Sequence, residues 1–237
     1  MSVPAASGCD VGSPAVLDRP SRPDPSPDGG LTRRDVAGLR WIAEQYAVRT
    51  DVLSHLLSGA AAWSSPRTAG VVTRWRHAGL VERRRFLVGD PPLVWPTAIG
   101  LRRIAAPYLP HPPAVGLLAH LHAVSLVRLG VERNGGRRWV SERALLRRRR
   151  TRDAHLPDGM FRAPGGVDVA VEVELTRKPG PRLRSIVDEL TTEHEAVLYV
   201  VECAPVRLGV ERAVAALGEQ RRVTIVDLAR FALPASR

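Results

Sequence analysis

Lysine is almost missing from this chain. Of 35 basic residues, 34 are arginine and Lys178 is the single lysine. Cysteine is scarce as well. Cys9 and Cys203 cannot complete a zinc site on their own and do not suggest a disulfide framework, so a reducing cytoplasm is the expected compartment. No apolar run reaches the ~20 residues of a membrane span. The first residues lack a basic segment followed by an apolar one, which predicts no secretory leader. A membrane is therefore not among the expected partners.

What is abundant is positive charge. The net charge is +11 over 237 residues, which favours a polyanionic partner. An arginine bias of this kind also accompanies GC-rich coding, so the count alone assigns no role to any one arginine. The length suits two small domains or one large one. Residues 1–30 are rich in Pro, Ser, Asp and Gly and poor in large apolar residues, which predicts a disordered leader.

Residues 31–106 read as helices followed by a hairpin. Thr32 or an adjacent residue can cap a helix with Val36, Leu39, Ile42, Ala43 and Tyr46 on one face. Thr50 can cap a second, carrying Val52, Leu53, Leu56 and Leu57 and ended by Gly59. Ser65-Pro66 opens a third, which runs through Val71, Val72 and Trp75 to Gly79. Two β-prone runs, 80–88 and 93–95, flank the turn Gly89-Asp90-Pro91-Pro92, and residues 97–105 close the unit with another helix. Three helices and a hairpin are the order of a winged helix-turn-helix. Its third helix would offer Arg67, Thr68, Arg74 and Arg76 to a DNA groove, and its wing would bring Arg83, Arg84 and Arg85 to phosphates. The segment holds 12 Arg against 5 acidic residues, a net of +7. Double-stranded DNA is the expected partner, and a two-fold homodimer would suit paired half-sites. A winged helix used for protein contacts, with its arginines as a solvated face, is the alternative. Trp63, Trp75 and Trp95 are expected in packing.

Residues 107–113, PYLPHPP, form a stiff connector and the expected domain boundary. Beyond it, residues 114–237 read α-β-β-β-α-β-α-β: a helix over 114–129, a strand over 137–141, and two strands around Gly165-Gly166. A helix over 179–193, a buried strand AVLYVV over 196–201, a helix over 206–217 and a strand over 223–228 follow. This predicts a mixed α/β sheet covered on both faces. The run Arg147, Arg148, Arg149, Arg150, with Arg152, is the densest positive patch and a second expected DNA contact.

The chemistry concentrates in residues 157–178. Glu172 and Glu174 are two apart in a β-branched run and share a strand face. Asp158 opens the preceding strand, and a hairpin would bring the three carboxylates together. Converging carboxylates suit Mg²⁺. Other readings compete. Pro-Asp-Gly is an ordinary turn, and the two glutamates could face solvent or pair with Arg177 and Arg182. Glu142 could be a fourth metal ligand or a structural ion-pair partner. His120 reads as a core histidine, His155 has no evident partner, and Lys178 could be a DNA contact at a helix start.

The Pro157-Asp158 before one strand and the Glu172-x-Glu174 on the next, within this element order, resemble the PD-(D/E)xK nucleases. The resemblance implies a restriction-endonuclease-like αβββαβ domain with Asp158 and Glu172 as metal ligands. Glu174 then stands where that family usually has Lys, as proton acceptor or second ligand, and Lys178 is a displaced catalytic candidate. Residues 31–230 also resemble the replication-relaxation family of actinobacterial plasmids and mobile elements. That resemblance rests on His120-Leu121, Trp139-Val140-Ser141-Glu142-Arg143, Leu156-Pro157-Asp158-Gly159, Val171 to Lys178 and Val197 to Val201. It implies a DNA-binding protein of plasmid replication or DNA processing, with replication proteins as partners, and defines no reaction; a Mg²⁺-dependent nuclease or nickase activity is what the PD-(D/E)xK resemblance implies. The alternative is a catalytically inactive DNA-binding replication or transcription regulator that uses the second domain for assembly.

Overall fold

The computed structural model describes residues 30–58, 65–148 and 155–234. The leader through residue 29, Gly59, Trp63, Arg149, Arg150 and Arg152 lie outside the described residues.

Helix α1 (Arg33–Glu44) starts as its sequence dictates. Asp35 N–H donates to Thr32 Oγ1 at 3.1 Å, and Thr32 N–H donates to Asp35 Oδ2 at 2.9 Å, a reciprocal capping box. The other carboxylate oxygen of Asp35 accepts from Trp75 Nε1 at 2.9 Å and from Arg74 at 2.6 Å. One buried side chain thus caps α1 and ties it to α3 (Ser65–His77). Between them lie β1 (Val48–Arg49) and α2 (Thr50–Ser58). Thr50 is the first residue of α2 rather than its cap, and Asp51 Oδ1 accepts from Val52 N–H at 2.9 Å. α3 stops at His77, and Gly79 turns the chain with φ of 67°.

β2 (Val81–Arg84) and β3 (Leu93–Pro96) pair antiparallel, and β1 joins on the far side of β3. The hairpin is shorter than the apolar pattern predicts. Pro91 and Pro92 have no N–H to extend the ladder, so Phe86, Leu87 and Val88 leave the sheet. α4 (Ala98–Arg103) follows, with Thr97 as N-cap accepting from Gly100 N–H at 3.0 Å.

The second half is built on a five-stranded sheet of order β4-β5-β6-β7-β8. Its strands are β4 (Arg137–Ser141), β5 (Gly159–Arg162), β6 (Asp168–Glu174), β7 (Ala196–Val201) and β8 (Val223–Asp227). β4, β5 and β6 pair antiparallel, and β6, β7 and β8 pair parallel, so the chain is mixed α/β. α7 (Gly180–Glu193) and α8 (Ala204–Leu217) are the parallel crossovers. α6 (Glu142–Arg148) is a short basic helix after β4. Leu183, Ile186 and Leu190 of α7 and Val206, Val210 and Val214 of α8 pack on Ala170, Val197, Tyr199 and Val201. The opposite face, with Val171, Val173 and Val200, is covered by Ala123, Val124, Val127 and Val131 of α5 (Leu118–Arg133).

α5 runs past Gly130 because that glycine is a notch, not a stop: a Cβ there would stand 2.5 Å from the Phe231 ring. Val115–Arg133 is, by length and composition alone, long and apolar enough to cross a membrane. Here one flank lies on the sheet, and Leu126 and Leu129 enter the core of α1, α2 and α3. The halves are therefore joined along α5. Arg128 pairs with Glu44 at 2.7 Å and Glu132 at 2.8 Å and stacks on Trp41 at 4.5 Å. Trp41 Nε1 donates to Glu132 at 2.9 Å. The proline-rich connector is pinned rather than loose: Arg143 donates to the carbonyls of Ala43 and Leu109 and lies against the Tyr108 ring.

Candidate functional site

β5 and β6 part at one end, and that parting creates the site. Their pairing ends at Gly159 opposite Val171, so the next N–H of β6 on that side has no strand partner. Asp158 supplies one: its Oδ2 accepts from Val173 N–H at 2.8 Å. Its Oδ1 lies 2.8 Å from His120 Nε2, which reaches in from the start of α5. His120 is thus a partnered histidine at the rim of the site rather than in the core. The bond to Asp158 pushes the imidazole pKa up, with further support from the charges of Glu172 and Glu142 outweighing burial.

Glu172 and Glu174 do share a face of β6, the one turned toward α7 and α8, and both are buried. Neither faces solvent or pairs with Arg177 or Arg182. Glu172 Oε2 lies 2.9 Å from His155 Nε2, and His155 is held in turn by its own N–H, which donates to Glu189 of α7 at 2.6 Å. Burial, then the charge of Asp158, raise the Glu172 pKa to about 7 against the opposing pull of His155. Burial lowers the pKa of His155, but its bond to Glu172 and the nearby Asp158 charge outweigh it and leave it raised. Glu172 is thus poised to exchange a proton near neutral pH, and His155 holds its proton more tightly than a free imidazole.

Glu174 binds Lys178, so the lysine folds back over one turn of chain onto the carboxylate. Burial and the Asp158 charge raise the Glu142 pKa against the opposing charges of His120 and His155, and Glu142 forms no ion pair among the described residues. Tyr199, fully buried opposite Glu172 on β7, has a hydroxyl without a hydrogen-bond partner. Burial, then Glu172, Glu174 and Asp158, push its pKa up, which places the phenol in the field of all three carboxylates.

The donor chemistry fits a hard divalent cation in a reduced form. No three His, Cys, Asp or Glu side chains among the described residues form a ready ligand group. Mg²⁺, however, is commonly held by one or two carboxylates plus water and substrate phosphate. Asp158 and Glu172 would be those two. Glu174, committed to Lys178, is not free to be a third. The unpartnered Tyr199 hydroxyl, amid carboxylates in a dry interior, is the kind of group that a bound water or ion satisfies.

The expected DNA contacts are placed unevenly. Arg67 and Arg76 are on the exposed side of α3, and Arg84 and Arg85 are exposed beside the hairpin, with Arg83 half-buried. Thr68 is buried and faces the core, because the helical period that exposes Arg67 turns its neighbour inward. Arg74 is bound to Asp35 and serves the α1–α3 joint. Arg147 and Arg148 are exposed on α6, the former 5.8 Å from the Tyr108 ring.

His120, His155 and Tyr199 complete the site, and sequence reasoning did not assign them to it. His120 lies 38 positions before the residue it binds. No periodicity reports such a pairing. His155, three residues ahead of Asp158, was the readable hint. The chain matches no family model, no curated protein and no solved structure at a significant level.

Proposed function

We propose that the chain is a DNA-binding protein of plasmid or mobile-element replication whose second half hydrolyses phosphodiester bonds. The observation that carries the hydrolytic reading is the cluster of half-buried Asp158, His120 and His155 with the buried Glu172, which lies opposite Tyr199 and its unpartnered hydroxyl. The sheet order, antiparallel through β4-β5-β6 and parallel from β6 to β8, supports a nuclease-like domain. The helices α1, α2 and α3 with their small sheet support a winged helix, whose exposed Arg76, Arg84 and Arg85 would meet phosphates. A divalent cation held by Asp158 and Glu172 would neutralise charge developing on the phosphoryl oxygens. Glu172, whose pKa is about 7 with no cation bound, would ligate the cation as the ionised carboxylate, so binding should tighten as the pH rises through neutrality. His155 holds that carboxylate in place, His120 orients Asp158, and Lys178 keeps Glu174 paired.

One observation favours a second reading, an inactive site used for assembly or regulation. Both oxygens of Asp158 are engaged, and Glu174 is neutralised by Lys178. Incubating supercoiled plasmid with the protein and Mg²⁺ or Mn²⁺ decides between them. Nicking is expected, with Glu172→Gln slower by about 10²-fold or more, because the amide supplies no charge to hold the cation. No nicking in either metal leaves the regulatory reading. DNA affinity measured against salt tests binding separately: it should fall steeply as salt rises, because phosphate contacts release counterions, and a flat response would remove DNA as the partner.

A further inference from the structure

We propose that the cavity between the first turns of α7 and α8 binds a terminal phosphate, a phosphomonoester carried on a nucleotide or on the end of a nucleic-acid strand. The cavity measures about 570 Å³, within the range that holds a small organic ligand. It opens where the parallel strands β6 and β7 end, the position at which open α/β sheets bind ligands.

Its charge is one-sided. Arg177, Arg184 and Arg212 line it, and none of the three has a hydrogen-bond or ion-pair partner among the described residues. Lys178 and Glu174 also line it but neutralise each other. Three guanidinium groups around one hollow therefore lack a counter-charge. Arginine clustered in this way suits phosphate, which it can grip with paired N–H donors.

The backbone adds to the same deficit. Gly180 and Ala204, the first residues of two 14-residue helices, both line the cavity. Neither helix has a side-chain cap or an acidic residue in its first turn. The Arg184 guanidinium reaches back to the start of α7, where a Cβ on Gly180 would lie 3.5 Å from its Nη1. The rest of the wall is apolar. Leu183 and Val206 form the floor and Leu208 stands exposed at the side. A cationic mouth over an apolar wall accepts a phosphate joined to a flat organic body. A bare inorganic anion would leave that wall unused.

The strand-end source rests on the nucleic-acid reading above; the free-nucleotide source does not. Anisotropy of the full-length protein with 3′-fluorescein dodecamers, one 5′-phosphorylated and one 5′-hydroxyl, tests the proposal, with dAMP as competitor. The phosphorylated strand should bind about tenfold more tightly, the weight of one charge-assisted contact set. The double variant R184E/R212E should lose that preference while keeping its circular-dichroism spectrum. Displacement of the phosphorylated strand by dAMP marks a free nucleotide as ligand, and its absence marks the strand end. Equal binding of both dodecamers together with no effect of dAMP overturns the proposal, as does a preference that survives the double variant. A circular plasmid has no ends, so its nicking can fail while the phosphate preference holds, or the reverse.

Discussion

The central residue is Glu172. It is buried on an interior strand, and its carboxyl titrates near 7 instead of the ordinary 4.5. The folded state therefore favours the protonated form. Its contribution to stability is fully present below pH 4.5 and is lost as the pH rises through about 7. His155, also raised, acts in the same direction: its contribution is present below 6.5 and fades as the pH rises through its folded pKa. Melting temperature measured in chelator should thus fall between pH 5 and 8.5. Glu172→Gln carries no such proton and should flatten that fall. An unchanged slope in the variant would show that Glu172 is ionised in the folded protein across the range.

Helix α4 shows what the elements demand of single positions. It crosses β2 so closely that a Cβ on Gly100 would lie 1.9 Å from the Leu80 carbonyl oxygen, a backbone atom that cannot swing aside. Thr97 holds the same junction by capping α4 and donating to the Gly79 carbonyl at 2.5 Å. Gly100→Ala should therefore force the helix off the hairpin and cost about 1–3 kcal/mol, as overpacking does. Urea denaturation checks this. A loss under ~0.5 kcal/mol would mean that α4 shifts freely and does not set the position of the hairpin.

Across the whole molecule, α5 is the shared element. It covers one face of the five-stranded sheet and inserts Leu126 and Leu129 into the core of the first half. Arg128 is the polar part of that joint, buried between Trp41 and the carboxylates of Glu44 and Glu132. Removing Arg128 leaves two carboxylates that water still reaches in part, so the loss is that of its charged hydrogen bonds, about 1.5–3 kcal/mol. Denaturant unfolding of the native chain should be a single transition. Arg128→Ala should lower its midpoint and split it in two as the halves uncouple. One unshifted transition would show that the apolar contacts of α5 suffice.

The sequence by itself determined the elements. Thr32 with Asp35, the alternation through Asp168–Glu174, the unbroken AVLYVV and the glycine punctuation are local signals. Each is read out within a few residues by backbone hydrogen bonding and side-chain period. The positions of Asp158 and Glu172 were legible for the same reason, since period two puts Glu172 and Glu174 on one face whatever the rest of the chain does. The sequence could not supply partners. Whether Glu174 meets a metal, an arginine or Lys178, and whether His120 belongs to the core or to Asp158, depends on strands parting and a helix crossing their ends. Those are distances between residues tens of positions apart, set by packing of the whole core. Thr68 is turned inward for the same reason, while Arg74 stays exposed and takes Asp35 as its partner. A helix carries polar groups on several sides, and only the core against which it packs decides which side faces out. The tertiary structure thus turned three aligned acids into two carboxylate–histidine pairs and one carboxylate–lysine pair, because burial makes each charge find the nearest available partner.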